Sequence, residues 1–271
     1  MKKWCIRIAN RITSFFHRFL WKRQMNIIKK DYASRAIDRL KTNLKYLILL
    51  PHADDEWVGC STLISDPSFN VVLCNMNMSG NNDLFMRKKR ELELLSLADV
   101  YKRSVLNCYD NLEVIIQAEN PDCVVVPFFF DWHEDHFKVM DCLFRVIKDN
   151  LSFKFSILMY QVSVPIPEKE INYFMPMTKK EWRNKWKIFE KYYPSQVIIP
   201  YRRFAYNEMI NGFLTNSYAG EVFVGTTIDK WKSDYFLLKP NKSEKSELKK
   251  SLNDLRGVRI YSNRMLQNKR G

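Results

Sequence analysis

The stretch that decides the fold runs from Lys45 to Glu56 and reads KYLILLPHADDE. Its first half, Lys45–Pro51, is a nearly continuous apolar run, which is typical of a strand buried on both faces of a parallel sheet. Polar residues follow Pro51 at once. We therefore predict a buried strand whose carboxyl end delivers the segment HADDE, starting at His52, to one edge of a sheet.

Outward from this strand, apolar runs alternate with helix-like patterns as far as about residue 165. The further predicted strands are Asn70–Met76, Ser104–Tyr109, Asp122–Phe128 and Ser156–Val162. The predicted helices are Asp83–Val100, Leu112–Glu119, Phe137–Lys148 and Lys179–Tyr193. This alternation predicts an α/β fold: a doubly wound, mostly parallel, Rossmann-like sheet with helices on both faces.

Charge is distributed unevenly along the chain. The net charge is +14, and residues 1–45 account for +11 of it because they hold 13 Lys and Arg against two Asp. We predict three parts: a basic amphipathic extension over residues 1–44, an α/β domain over 45–238 and a basic polar tail over 239–271, with a surface helix around Ser243–Leu255.

The N-terminal extension is predicted to be an amphipathic helix, because apolar residues recur there at helical spacing beside a row of cations. The apolar residues are Trp4, Ile8, Ile12, Phe15, Phe16 and Phe19, and the cations are Lys3, Arg7, Arg11, Arg18 and Lys22. These cations interrupt any apolar run long enough to span a bilayer. Two interpretations stay open: contact with an anionic membrane through residues 1–30, or packing on the α/β domain. Nucleic acid is not the predicted partner, because no nucleic-acid-binding fold accompanies the helix.

The six cysteines include no C-x-x-C pair, and three of them lie in apolar, strand-like runs. This usage is typical of buried, reduced thiols. The N-terminal segment also lacks the uninterrupted apolar region of a secretory signal. We therefore predict a cytoplasmic protein, with peripheral contact at the inner face of the membrane.

Two short polar segments hold three of the four histidines. One follows the first strand at His52, and the other, Asp131–His136 (DWHEDH), follows the Val-rich strand Asp122–Phe128. The carboxyl ends of parallel strands lie at the same edge of a sheet, where ligands bind. We therefore expect the two segments to meet in space.

Imidazole and carboxylate groups together are good zinc ligands, and a catalytic zinc takes three protein ligands and one water. His52, Asp55 and His136 are the candidate ligands. Asp54 then remains to take a proton from the water, and His133 to face the reacting carbonyl. The alternative for the two aspartates is a helix N-cap, but H-x-D-D-E with a later H-x-D-H favours the metal site.

These segments resemble the PIG-L/LmbE family of deacetylases, which acts on N-acetylglucosaminyl-phosphatidylinositol and on precursors of mycothiol and bacillithiol. PHADDE is similar to the family's [AP]-H-P-D-D-E, and HEDH is similar to its H-P-D-H. Ser195-Gln196 and the segment AGEVF from Ala219 resemble two further family elements, so the resemblance covers about residues 45–225. Ala53 and Glu134 depart from it, because the family has proline at both positions.

The resemblance implies a zinc ion bound by His52, Asp55 and His136, although another divalent ion such as Fe²⁺ also suits such ligands. It implies Asp54 as the general base and His133 as the group that stabilises the oxyanion or protonates the leaving amine.

The resemblance also implies that Asp135 tunes His133 and that an arginine on the helix after the second strand binds substrate. By spacing, this arginine is Arg87. Arg90 then stands where the family has glutamate, which is a further departure.

The predicted function is a metal-dependent hydrolase that removes an N-acetyl group from a sugar-containing substrate, such as a lipid-linked or surface-glycan intermediate. Two alternatives are a metal-dependent phosphoesterase and a non-enzymatic membrane- or nucleic-acid-binding protein with a vestigial site. A two-metal phosphoesterase needs more ligands than these two segments offer.

Overall fold

The computed structural model describes residues 2–78, 84–108, 111–148, 150, 152–196 and 201–271, with the side chains of all of these except 2–15 and 84. Within these residues, seven strands form one sheet. They are β1 (Lys45–Leu50), β2 (Asn70–Asn75), β3 (Ser104–Asn107), β4 (Cys123–Pro127), β5 (Ser156–Tyr160), β6 (Tyr173–Met177) and β7 (Ala219–Thr226).

The strand order is β3-β2-β1-β4-β5-β7-β6. The first five strands are parallel to one another, and β7 is antiparallel to both β5 and β6. The described helices are α1 (Lys2–Asp31), α2 (Asp55–Ser65), α3 (Leu84–Val100), α4 (Leu112–Glu119), α5 (Glu134–Lys148), α6 (Lys179–Tyr192), α7 (Arg202–Asn211), α8 (Ile228–Leu238), α9 (Lys242–Ser251) and α10 (Leu255–Arg270). The predicted doubly wound, mostly parallel α/β fold is confirmed.

The central strands are apolar because the sheet is covered on both faces. All five residues of Cys123–Pro127 are buried, as are five of the six in Lys45–Leu50. Side chains alternate across the pleat, so Leu47 and Leu49 join one apolar cluster while Ile48 and Leu50 join the other. The five cysteines whose side chains are described are free thiols, and four of them are buried.

The chain reverses its direction of winding between β1 and β4. It runs from β1 outward through β2 to β3, and then crosses back so that β4 pairs with the other side of β1. The segments that follow these two strands start at Pro51 and Phe128, and they flank the same crevice at the carboxyl edge of the sheet. In doubly wound folds this switch point is where ligands bind.

Helix α1 is anchored to the rest of the chain by its C-terminal half. Trp21 is 1% exposed and packs with Ile28, Ile210 and Leu255, and its Nε1 donates to the carbonyl oxygen of Asn253 at 2.8 Å. The apolar positions predicted before residue 16 lie outside the described side chains. None of the helices in the described residues combines the length and the apolarity needed to cross a bilayer.

The residues from 239 onward form α9 and α10 rather than a single surface helix. Their sequences are polar on average, but both helices bury apolar side chains: Leu248 in α9, and Val258 and Met265 in α10. Asn241 starts α9 with a capping box, and Asp254 caps α10 by accepting from two backbone amides. This C-terminal pair therefore completes the core beside α8 and supports α1.

Candidate active site

The turn after β1 is organised by the carboxylate of Asp55, the first residue of α2. Its Oδ2 atom accepts a hydrogen bond from the backbone N–H of His52 at 3.1 Å and lies 3.1 Å from the Nδ1 atom of the same histidine. Asp55 is buried, and the His52 side chain is 11% exposed. The short spacing H-x-x-D therefore places an imidazole and a carboxylate side by side.

Asp54 has an unusual backbone conformation, with φ at 135° and ψ at −30°. A residue with a side chain rarely adopts such a positive φ, and holding it there costs on the order of 1–3 kcal/mol. Within the described residues its carboxylate accepts no capping hydrogen bond from α2, so the N-cap alternative does not explain this side chain. Instead Glu56 supports the turn by accepting from the N–H of Asp54 at 2.9 Å.

The segment after β4 is organised by Asp131. Its Oδ1 atom accepts from the backbone N–H groups of Trp132 at 2.6 Å and His133 at 3.0 Å. Its Oδ2 atom lies 2.9 Å from the Nδ1 atom of His136. A carboxylate at one imidazole nitrogen fixes the ring orientation and leaves the other nitrogen for a ligand. Asp131 is therefore a positioning residue for His136, which is in the first turn of α5.

The two segments meet at the switch point as predicted. His52, His133 and His136 each offer one ligand atom, and these three atoms lie within 4.8 Å of one another, so the cluster could hold a metal ion. The Oδ2 atom of Asp55 is 3.5 Å from the Nε2 atom of His136. The structure thus brings together all three predicted ligands, and it adds the imidazole of His133 to the cluster.

Asp135 lies closer to His52 than to its predicted partner His133. Its Oδ2 atom is 3.0 Å from Nε2 of His52 and 3.9 Å from Nδ1 of His133. The backbone N–H of Asp135 donates to Nδ1 of His133 at 3.3 Å, and Lys138 binds its Oδ1 atom at 2.6 Å. Any tuning of His133 by residue 135 therefore involves the backbone N–H more directly than the carboxylate.

The pKa values of the three histidines are shifted in two different directions. Burial disfavours the charged form of His52, but hydrogen bonds to Asp135 and Asp55 outweigh it and raise the pKa of His52 to about 9. Burial likewise opposes charge on His136, yet Asp131 and Asp55 raise its pKa well above the ordinary value.

His133 responds in the opposite direction. Burial and the neighbouring charges of His136 and His52 lower its pKa to about 4. Its side chain is 35% exposed, more than those of the other two histidines. His133 is therefore a neutral imidazole on the accessible side of the cluster.

Burial raises the pKa of Asp54 well above the ordinary value, and the charge of Asp55 adds to this effect. Asp55 differs because its contacts with His136 and His52 overcome burial and lower its pKa. Adjacent carboxyl groups with pKa values shifted in opposite directions are typical of sites where one binds a cation and the other exchanges a proton.

The predicted substrate arginine lies at the edge of this site. Arg87 lines a small crevice together with His52 and Asn75, and Arg90 lines the same crevice. Both arginines are on α3, one turn apart, so they approach the cluster from the same helix face.

A buried network of charged side chains contacts α2 and stabilises its position. The ammonium group of Lys185 contacts the carboxylates of Glu208 and Glu221 and donates to the carbonyl oxygen of Val58 in α2 at 2.8 Å. Glu221 in turn accepts from the backbone and side chain of Ser61 and Thr62. The AGEVF segment therefore fixes the helix that begins with Asp55.

Sequence reasoning assigned no role to two residues near the cluster. Asp131 is the first residue of the DWHEDH segment. Its position five residues before His136 could have indicated that the two side chains interact. Arg203 on α7 is 6% exposed; burial lowers its pKa to about 10, against the opposing effect of the nearby Asp131. No sequence motif points to Arg203, because it lies on α7, far along the chain from the two polar segments.

Comparisons with known proteins support the fold. No family profile matches the chain, and no curated protein is detectably similar in sequence. Among solved structures, the conserved protein TT1542 from Thermus thermophilus is similar with a TM-score of 0.52 and 16% identity, over 67% of this chain and 94% of that chain. The zinc-inhibited form of teicoplanin deacetylase Orf2 has a TM-score of 0.50 and 12% identity, over 67% and 97%.

The A40926 pseudoaglycone deacetylase Dbv21 is similar to the same extent, with a TM-score of 0.50 and 12% identity over 67% of this chain and 96% of that chain. At these identities the likeness is one of fold. The chain therefore has a fold that two solved deacetylases share.

Proposed function

We propose that this chain is a metal-dependent hydrolase of the PIG-L/LmbE type that removes an N-acetyl group from a sugar-containing substrate. The observation that carries the proposal is the convergence of His52, Asp55 and His136 at the switch point, with the strained Asp54 next to them. The fold shared with solved deacetylases supports the same reaction class.

The donor set fits a divalent metal ion. The three imidazoles each offer a nitrogen within 4.8 Å of the others, and the Oδ2 atom of Asp55 lies 3.1 Å from Nδ1 of His52 and 3.5 Å from Nε2 of His136. Asp131 orients the ring of His136. His52, Asp55 and His136 are the proposed ligands. A zinc ion held there would supply Lewis acidity and make water a better nucleophile at neutral pH.

The remaining residues have separate proposed roles. Asp54 accepts the proton of the attacking water, for which its position beside the ligand Asp55 suits it. His133, the most exposed histidine of the cluster, donates a hydrogen bond to the developing oxyanion. The proton that Asp54 has taken from the water is then passed to the departing amine. Arg87 contacts the sugar or its substituents from α3.

The proposed substrate is an N-acetylated sugar carried on a lipid or on a surface glycan. The lipid-linked carrier rests on the basic N-terminal helix, since a soluble sugar needs no docking surface. Because the two solved deacetylases act on different compounds by their own names, the fold leaves the sugar open. A panel of substrates is therefore the appropriate test.

The test is acetate release from UDP-linked and lipid-linked N-acetyl sugars, with and without chelator. Zinc and Fe²⁺ should each be titrated, because one similar structure is a zinc-inhibited form. We expect activity to disappear with chelator and with Asp54→Asn, while Asp54→Asn keeps its bound metal. Asp99→Asn, an exposed aspartate on α3, is the matched control and should be unaffected.

Metal counting by mass spectrometry distinguishes the roles of the histidines. His136→Ala should lose both metal and activity. His133→Ala should lose activity but keep the metal, and loss of metal from this variant would make His133 a ligand. Undiminished acetate release by Asp54→Asn, or hydrolysis of a phosphate ester with two metals per chain, would refute the proposed deacetylase.

A further inference from the structure

A large groove lies between α1, α6 and α7, formed by residues that the proposed chemistry does not use. Its volume is about 490 Å³. Aromatic side chains that are buried or half-buried form its floor: Trp182, Trp186, Tyr201, Tyr206 and Tyr218. The groove therefore combines an apolar base with enough room for a small amphiphilic group.

The rim of the groove is strongly basic. Five cations line it: Arg18, Lys22, Arg183, Lys187 and Arg202. Glu190 is the one acidic residue among the described lining residues, and it is already engaged by Arg202 at 3.8 Å and by the hydroxyl group of Tyr201. The depression beside the groove extends this surface through Lys179 and Lys180. Such an excess of positive charge complements an anionic partner.

Helix α1 presents three different sides along this region. Trp21 and Ile28 anchor it to the core, and Arg18 and Lys22, four residues apart, form one wall of the groove. A third side is apolar and open to solvent: Phe16 is 61% exposed and Phe19 is 66% exposed. Large apolar groups so exposed beside cations are typical of helices that insert into a membrane interface.

We propose that this surface binds an anionic phospholipid membrane, with a lipid phosphate headgroup seated in the groove between α1, α6 and α7. Phe16, Phe19 and the 48% exposed Leu20 enter the boundary of the acyl chains. The cations of the groove contact the phosphates. The aromatic floor suits the same interface, where Trp and Tyr rings are favoured.

This inference does not rest on the proposed deacetylase activity, because no ligand or catalytic residue of the proposed site lines the groove. It does bear on both interpretations of the N-terminal segment. The C-terminal half of α1 packs on the catalytic domain, and the same packing aligns Arg18 and Lys22 with the cations of α6. Packing and membrane contact are thus compatible.

The test is co-sedimentation of the full chain with vesicles of phosphatidylcholine alone or of equimolar phosphatidylcholine and phosphatidylglycerol. We expect binding to the anionic vesicles that weakens as salt increases. The variant Lys22→Gln/Arg183→Gln/Lys187→Gln should reduce the partition coefficient by roughly fivefold per cation, on the order of a hundredfold in total. It leaves the ion pair of Arg202 and Glu190 intact.

The matched control is Lys148→Gln/Lys154→Gln/Lys169→Gln, which removes the same charge from exposed positions outside the groove. It should bind within about twofold of the wild type, because charges far from the contact are screened. A second variant, Phe16→Ser/Phe19→Ser, should lose the binding that persists at high salt. Circular dichroism verifies that each variant is folded.

Three results would overturn the proposal. The first is an equal loss of binding in the groove variant and the control, which would reduce the effect to net charge. The second is that the wild-type protein does not bind anionic vesicles but binds an oligonucleotide through the same cations. The third is a stable dimer in solution that is abolished by the groove substitutions, which would make a second copy of the chain the occupant.

Discussion

Glu208 provides a direct test of the buried network behind α2. Its carboxylate is enclosed with a second carboxylate, that of Glu221, and a single ammonium group, that of Lys185. Trp186 donates to its Oε2 atom at 2.9 Å. Glu208→Gln keeps the shape and one oxygen acceptor but removes the ionisable group.

The magnitude follows from the pKa of this carboxyl group. Burial is the main cause that raises the pKa of Glu208, from the ordinary value of 4.5 to about 7, against the opposing charge of Lys185. This difference corresponds to about 3 kcal/mol between the two protonation states. Because the folded chain binds the proton more tightly than the unfolded chain, Glu208 stabilises the fold fully below pH 4.5. This contribution is lost as pH rises through 7.

The assay is urea unfolding of wild type and Glu208→Gln at a series of pH values. Relative to the variant, the wild-type free energy of unfolding should fall by about 2.5 kcal/mol between pH 5 and 8. Glu247→Gln, at a half-exposed carboxylate on α9, should leave the wild-type pH dependence unchanged. Parallel pH profiles for wild type and Glu208→Gln would refute the reasoning, because they would mean that Glu208 binds protons equally in both states.

Three further perturbations have defined outcomes. Asp131→Asn removes the carboxylate behind His136 and should weaken zinc affinity by about 10- to 100-fold in a chelator competition, with the fold retained. Gly59→Ala places a methyl group 2.2 Å from the Cδ2 atom of Tyr160, so the free energy of unfolding should fall by about 1–3 kcal/mol, measured by urea denaturation. Trp21→Ala removes the buried anchor of α1 and should cost about 3–5 kcal/mol in the same assay, with faster proteolysis before residue 31.

The parallel half of the sheet was predictable because its strands are buried on both faces. The apolar run from Tyr46 to Leu50 indicates a buried strand, because the run is long enough for a strand but too short for a buried helix. The helices α4 and α6 were predictable from amphipathic spacing and from the signals at their ends, such as the capping box of Thr178 and Glu181.

Other elements gave no such signal. Helix α2 buries nine of its eleven residues, so it has no polar face and therefore no helical period to detect. Strand β6 contains Pro176, which argues against a strand except at a sheet edge, where β6 lies. Helix α5 begins at Glu134 rather than at the predicted Phe137, because the acidic residues of its first turn favour a helix N-terminus.

By itself, the sequence determined the class of fold and the two polar segments, with His52, Asp55 and His136 as the candidate ligands. Those features depend on local composition and on the rule that parallel strands end at one edge. Only the tertiary structure decided which carboxylate contacts which imidazole, so that Asp135 contacts His52 and Asp131 orients His136. Tertiary packing alone also aligned α1 with α6 and α7. The physical reason is that side-chain distances and shared grooves depend on how distant elements pack, and no local pattern encodes that packing.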